Sequence, residues 1–213
     1  MSSGAAAAPS GAGTRIQREK RRMILDAALE VFARHGFRGA TLDQIAAEAG
    51  LSKPNLLYYF DSKEAIHQHL LSDLLDAWLA PLRGIDPAGD PVREICAYVL
   101  RKLEMAREYP RESRLFANEI LAGAPNLSDF IRTDLRRDVE ATARLVEGWA
   151  AAGRIAAVDP YHLIFSIWAT TQHYADFEAQ ARMIRGPGVD PSEGAAAFLE
   201  RLYSRLLAPP AQG

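Results

Sequence analysis

Between Thr41 and Glu64 the chain reads TLDQIAAEAGLSKPNLLYYFDSKE, a stretch that few folds accommodate. Leu42, Ile45, Ala46 and Ala49 recur at helical spacing and give a first short helix one apolar face. Gly50 stands where a left-handed residue usually ends a helix. Ser52 follows where an N-cap is needed, and Pro54 falls in the first turn of the next helix, where a missing N–H costs nothing. That second helix is short and carries Lys53, Asn55, Tyr58 and Tyr59, with Leu56, Leu57 and Phe60 expected in the core. Asp61 followed by Glu64 is an Asp form of the capping box and starts a further helix. Two short helices joined by a turn of about three residues, the second one polar, make a helix-turn-helix.

Helical periodicity continues on both sides. Residues 15–35 place Ile24, Ala27, Ala28, Val31 and Phe32 on one face, and Gly36 ends that helix with Phe37 expected beneath it. A three-helix head of about fifty residues buries little apolar surface alone and needs the next helix for stability. Residues 62–83 carry Ile66, Leu70, Leu71, Leu74, Leu75, Trp78, Leu79 and Leu82, one long helix linking head to body. Asp90-Pro91, Asp159-Pro160 and Asp190-Pro191 each pair an N-cap side chain with a proline at the first helical position. They mark helices at 91–108, 160–184 and 191–207, with others at 112–122 and 127–152. No segment sustains the period-2 alternation of a half-buried strand. The expectation is an all-α chain: a tail at 1–14, a three-helix head at 15–62 and a six-helix body at 63–213.

Composition narrows the function. The hydrophobic fraction of 48% is ample for a core, yet no apolar run approaches the ~20 residues of a membrane span. Residues 1–14 are rich in Ser, Gly, Ala and Pro and read as a disordered tail rather than a signal peptide. Cys96 is the only cysteine, which excludes an internal disulfide, fits a cytoplasmic location and is expected to be buried and inert. No His/Cys cluster has metal-ligand spacing and no nucleophile pattern accompanies His173 and Asp176, so no metal, cofactor or catalytic residue is expected. His67 and His69 read as packing or surface residues. The net charge of −2 conceals an asymmetry: residues 1–63 hold nine Lys and Arg against six Asp and Glu, while residues 64–213 hold sixteen against twenty-one. Arg15, Arg18, Lys20, Arg21 and Arg22 crowd the start of the first helix. A basic head on an acidic body can bind phosphates, because the field that matters is local.

The run IAAEAGLSKPNLLYYFDSKEAI resembles the DNA-binding signature of the TetR family of bacterial repressors over more than twenty residues. The order Ala-x-x-Ala-Gly-Leu-Ser, then Leu-Tyr-x-Tyr-Phe, then Ser-Lys-Glu carries the likeness. It implies a ligand-responsive repressor, not an enzyme, that binds double-stranded DNA as a homodimer through two terminal helices per subunit. In a helix-turn-helix the second helix lies in the major groove. Lys53 and Asn55 are then placed for base edges and Pro54 for a thymine methyl. Thr41, Ser52, Tyr58 and Lys63 are of types suited to phosphate contacts, and Tyr59 matches a family position that reaches the backbone or a base. One of Tyr58 and Tyr59 is expected to be partly buried, and Arg15 and Arg18 to follow the backbone or enter a minor groove. The operator is expected to be palindromic. The apolar arc of the C-terminal helix, Phe198, Leu202, Tyr203 and Leu206, is expected at the dimer interface, with docking on its own core as the alternative.

Two body stretches, ESRLFANEILAGAP and HLIFSIWATTQHYADF, resemble the pyrimidine-utilisation regulators within that family, as does DAWLAPL. This likeness runs to about Phe177, departs at Ala117-Asn118 and implies an effector such as uracil or thymine. On the 160–184 helix, Tyr161, Ile164, Phe165, Trp168, Thr171, Gln172 and Ala175 share one face. A flat heterocycle with an imide edge needs an aromatic wall and an amide that both donates and accepts. Gln172 and Asn118 are the candidate amides, Trp168 and Trp78 the candidate walls, and Thr171 a further hydroxyl. Both tryptophans equally suit a plain core, and Arg114 with Glu119 suits a structural ion pair. A hydrophobic or acyl effector stays open as an alternative, as does a helical small-molecule enzyme or carrier whose helix-turn-helix is incidental.

Overall fold

The computed structural model describes residues 11–209, with side chains from Arg15 onward and without that of Asp76. Most of the tail expected at 1–14 therefore lies outside the described residues, although helix α1 (Gly11–Gly39) already starts within it. The described residues form ten helices and no strand. They divide into two compact units, Met1–Leu70 and Leu71–Gly213.

The first unit holds α1, α2 (Leu42–Glu48), α3 (Lys53–Leu57) and the opening turns of α4 (Lys63–Arg83). Gly36, at φ 67° and ψ 169°, breaks α1 at the expected place. Ile24, Ala28, Val31 and Phe32 from α1 are buried, as are Ile45, Ala46, Leu56, Phe60 and Ile66. Two expectations need correction, at the cap of α4 and at Leu57. Ser62, not Asp61, caps α4, its Oγ accepting from the Ala65 N–H at 3.0 Å. Leu57, expected in the core, is 37% exposed, because α3 is too short to bury both neighbouring leucines. Lys63, expected among phosphate-contacting residues, donates to the carbonyls of Phe37 and Ala40, both at 2.8 Å, with its ammonium 4.4 Å from the Phe37 ring centroid. Two of its three protons thus tie the end of α1 to the start of α4. Arg21 has a similar role: its guanidinium lies over the Phe60 ring and donates to the Tyr59 carbonyl at 2.6 Å. His67 is buried against Phe32 and Phe37, ring centroids 5.0 and 4.6 Å away, as a packing residue.

The second unit holds the rest of α4, α5 (Pro91–Glu108), α6 (Pro110–Leu121), α7 (residues 128–151), α8 (Pro160–Asp176), α9 (Glu178–Arg185) and α10 (Ala195–Leu206). Asp90 and Asp159 cap α5 and α8 as expected, each accepting from the N–H three residues on at 2.9 Å. The third Asp-Pro pair starts no helix. Asp190 Oδ1 instead accepts from the N–H and hydroxyl of Ser192, closing a turn, and α10 begins only after Gly194 at φ 78°. The helix expected at 160–184 divides at Phe177 (φ −113°, ψ 24°), which raises the expected nine helices to ten. Within α7 a π-helical turn, Ile131–Leu135, interrupts the α-helical ladder. Helix α8 packs against α5, α6 and α7, and α10 covers α5. Their shared core includes Ile95, Val99, Val146, Trp149, Ile164, Ile167, Leu199 and Tyr203. No helix among the described residues is long and apolar enough to cross a membrane.

Candidate DNA interface and effector cavity

The helix-turn-helix is built from reciprocal caps. Thr41 Oγ1 accepts from the Gln44 N–H at 3.2 Å, and Gln44 Oε1 accepts from the Thr41 N–H at 2.8 Å. Ser52 Oγ accepts from the Asn55 N–H at 3.4 Å and so starts α3. Between them Gly50, at φ 64°, reverses the chain while the Leu51 N–H donates to the Ala46 carbonyl at 2.8 Å. This scaffold leaves Lys53, Pro54, Asn55 and Tyr58 exposed on one short helix. Tyr58 is 72% exposed, its ring meeting that of half-buried Tyr59 edge-on at 5.1 Å. The Lys53 ammonium pairs with Asp43 at 2.9 Å, with both side chains exposed. Such a pair contributes about 0–1 kcal/mol, so a phosphate or base edge can displace it cheaply. Arg15 and Arg18 are exposed near the start of α1. Large aromatic and cationic surface is thus presented where core packing does not require it.

In the second unit an apolar cavity is lined by Leu75, Trp78 and Leu79 of α4, Tyr98 and Lys102 of α5, Phe116 of α6, Phe130 and Leu135 of α7, and Trp168 and Gln172 of α8. Its free volume is about 50 Å³. The π turn in α7 explains how Phe130 and Leu135, five residues apart, both reach it, since i and i+5 are bonded neighbours on such a turn. Trp168 Nε1–H donates to the Tyr98 hydroxyl at 2.8 Å, which fixes the indole and leaves the phenolic proton uncommitted. Burial pushes Tyr98 up to about 12. Gln172 makes no hydrogen bond to the described residues. Lys102 is 5% exposed, with Nζ 4.3 Å from the centroid of the Trp78 ring and no carboxylate among the lining residues. Burial lowers its pKa to about 8.

A wider hollow of about 490 Å³, between α5, α8, α9 and the Asp190 turn, has different walls. Its charges are paired: Arg182 with Glu178 at 2.6 Å, Arg107 with Asp190 at 3.7 Å, and Glu104 and Glu108 with Arg101 at 2.6 and 3.8 Å. The small cavity instead brings aromatic faces together with the Gln172 amide, the Tyr98 hydroxyl and the Lys102 ammonium, which makes it the candidate ligand site.

Of the expected effector residues, Trp78, Trp168 and Gln172 come together at this cavity. Asn118 and Thr171 do not. Asn118 lies exposed on α6, because Leu115, Phe116 and Glu119 form the inward face and Asn118 is one helical step away from it. Thr171 is buried, but its hydroxyl donates at 2.7 Å to the Ile167 carbonyl of its own helix. The single face expected on α8 is two adjacent stripes. Ile164, Thr171 and Ala175 enter the core, Trp168 and Gln172 reach the cavity, and Tyr161 and Phe165 are exposed.

Arg114 pairs with Glu178 at 2.9 Å rather than with Glu119, whose carboxylate instead accepts from the Asn126 N–H at 2.6 Å. His173 and Asp176 form no dyad: His173 stacks on Phe177, and Asp176 accepts from Ser113 at 2.6 Å. Cys96 is buried with its thiol raised by burial, hence unreactive. Lys102 and Tyr98 escaped the sequence reading. Their signal was periodicity, since both fall on the stripe of Ile95, Val99, Leu103 and Ala106, where a lysine is out of place. On α10, Phe198, Leu202 and Leu206 are exposed, whereas Tyr203 is buried with its hydroxyl beside those of Ser166 and Thr170 at 3.2 and 3.0 Å. Tyr203 thus belongs to the core of the second unit and not to an outward stripe.

Residues 24–70 match the family described as bacterial regulatory proteins, tetR family, and residues 71–209 match the C-terminal region of YcdC-like proteins. The chain belongs to the TetR family. It is 48% identical over 177 residues to the HTH-type transcriptional regulator RutR of Escherichia coli K12, covering 83% of this chain and 84% of that protein. Among solved structures, a transcriptional regulator of Streptomyces coelicolor, SCO4942, superposes with a TM-score of 0.69 at 27% identity, over 90% of this chain and 99% of that one. AibR in complex with isovaleryl coenzyme A and operator DNA shares the fold at a TM-score of 0.67 and 20% identity, over 90% of this chain and all of that one. This TetR-family chain is accordingly a helix-turn-helix transcriptional regulator and not an enzyme.

Proposed function

We propose that this TetR-family regulator represses transcription from a palindromic operator and is released when a planar pyrimidine-type ligand, uracil or thymine in character, enters the α4–α8 cavity. The observation that carries the ligand half of the reading is the uncommitted amide of Gln172 at a cavity walled by Trp78 and Trp168. An imide edge presents one donor between two acceptors, and a carboxamide complements part of it with one acceptor and donors. The sequence likeness to pyrimidine-utilisation regulators supports the same choice. A cavity of about 50 Å³ disfavours a long acyl chain in this conformation. It also requires the walls to move apart for a heterocycle, so ligand binding and conformational change are one process.

On the DNA side, Lys53, Pro54 and Asn55 meet base edges, and Thr41, Ser52 and Tyr58 meet phosphates, with Tyr59, Arg15 and Arg18 along the backbone. Lys63 acts by holding the head together and leaves one proton for a phosphate. The exposed Phe198, Leu202 and Leu206 of α10 meet a second copy, in a two-fold dimer whose half-sites lie about 34–36 Å apart or at multiples of it.

The test is a thermal-shift panel with uracil, thymine, cytosine and short acyl compounds on wild type and Gln172→Ala. A ligand at a hundred times its dissociation constant stabilises the fold by about 2.7 kcal/mol. A shift with uracil or thymine that Gln172→Ala abolishes supports the reading, and a shift with acyl compounds alone refutes the pyrimidine half of it.

A further inference from the structure

The cavity contains more positive character than a neutral nucleobase needs. Tyr98 and Lys102 are four residues apart on α5 and therefore project side by side. One offers an uncommitted phenolic proton and the other an ammonium with three protons. Among the described residues neither Asp nor Glu lines the cavity, and Tyr98 is the only other titratable side chain that does. The ammonium is stabilised only by the face of Trp78 at 4.3 Å. An interior cation is normally retained only with a counter-charge. Here the described residues supply none, and the space beside it is open.

We propose that this cavity selects an acidic planar ligand, held with its negative charge against Lys102 Nζ and the Tyr98 hydroxyl and with its ring between Trp78 and Trp168. The ligand thus supplies the missing counter-ion. This deepens the reading given above and rests on the same cavity being the effector site. Among pyrimidine-type imides, the form bound is the one that gives up its ring proton most readily, because the resulting oxyanion faces a cation in a water-poor site. A neutral ligand of the same shape leaves the ammonium without its counter-charge while removing what water it had.

The experiment is calorimetric titration at pH 7 with uracil, 5-fluorouracil and 5-nitrouracil, which share a shape and rise in N–H acidity in that order. Benzoate and benzamide form a second pair, alike in shape and different in charge. Wild type is expected to bind 5-nitrouracil at least tenfold more tightly than uracil, and Lys102→Met to bind all three alike. The wild-type trend needs no variant, so a misfolded Lys102→Met does not blunt the test. Equal affinity along the uracil series overturns the acid selectivity, a trend that survives in folded Lys102→Met overturns its assignment to Lys102, and both leave the nucleobase reading standing. Benzoate binding that exceeds benzamide and depends on Lys102, with no uracil binding, overturns the nucleobase reading and upholds the charge assignment. Failure of both series to bind overturns both.

Discussion

Replacing Lys102 with methionine removes a charge from the interior while keeping an unbranched side chain of similar length. Burial lowers the Lys102 pKa from 10.5 to about 8, so the protonated form is less comfortable folded than unfolded. At 1.36 kcal/mol per unit this amounts to about 3 kcal/mol at neutral pH. The attraction to the Trp78 face offsets about 1–2 kcal/mol of the gain, though a thioether recovers part of it through contact with the same ring. Lys102→Met should therefore raise stability by about 1–3 kcal/mol, or roughly 3–10 °C in Tm for a chain of this size. The sign of the pH dependence follows. Below pH 8 the group is charged in both states and the penalty is complete. Between about 8 and 10.5 the unfolded chain holds more protons, so wild-type stability rises with pH and the advantage of the variant shrinks. Urea unfolding of both proteins at pH 7, 8, 9 and 10, at one protein concentration, measures it. A variant less stable than wild type at pH 7, or a difference that does not change with pH, would refute the reasoning.

Three further outcomes are expected. Lys53→Ala should weaken operator binding about tenfold and flatten its salt dependence, as read by fluorescence anisotropy at several ionic strengths. It should leave thermal stability within about 0.5 kcal/mol, because the pair with Asp43 is exposed. The double change Phe198→Glu and Leu202→Glu places charge on an exposed apolar stripe and should yield folded monomers in sedimentation experiments. Tyr203→Phe removes a hydroxyl that meets both Ser166 and Thr170, and should cost about 1 kcal/mol in denaturant unfolding without changing oligomeric state.

The helix-turn-helix was legible because its signals are local. Thr41, Gly50, Ser52 and Pro54 each act on backbone groups within a few residues, and each stands in the structure where the sequence put it. The same locality misled at Asp190-Pro191. Ser192 offers that aspartate a nearer donor, and the pair closes a turn instead of capping a helix. The split at Phe177 carried no proline or glycine and could not be read from composition. The body site was legible only in part. A face of seven residues on α8 is wider than a single stripe, and sequence spacing alone could not say which edge met the cavity. Thr171 fell on the wrong side by one position. Asn118 looked attractive as an amide beside aromatic residues, yet Glu119 is the polar residue turned inward there, held by Asn126.

Lys102 is the most informative of the misses, because the proposed selectivity of the cavity rests on what the described residues leave unpaired. Trp78, Trp168, Phe116 and Phe130 would give a dry slot that accepts any flat apolar ring. Discrimination by apolar fit alone is weak, about 10–200-fold per methylene-sized difference. A site that keeps buried polar groups waiting for a partner rejects an analogue that cannot satisfy them by factors of about 10⁴ or more. Gln172, the Tyr98 proton and the Lys102 ammonium stand at the cavity without a committed partner, and burial makes the Lys102 charge a stability cost in the empty protein. Filling the cavity with a ligand of matching donors and charge lowers the energy of the liganded state alone. A differential affinity between two states is what an effector needs in order to shift one into the other. On the proposed reading, the buried cation that makes the empty body less stable is therefore able to make its response to the right ligand large.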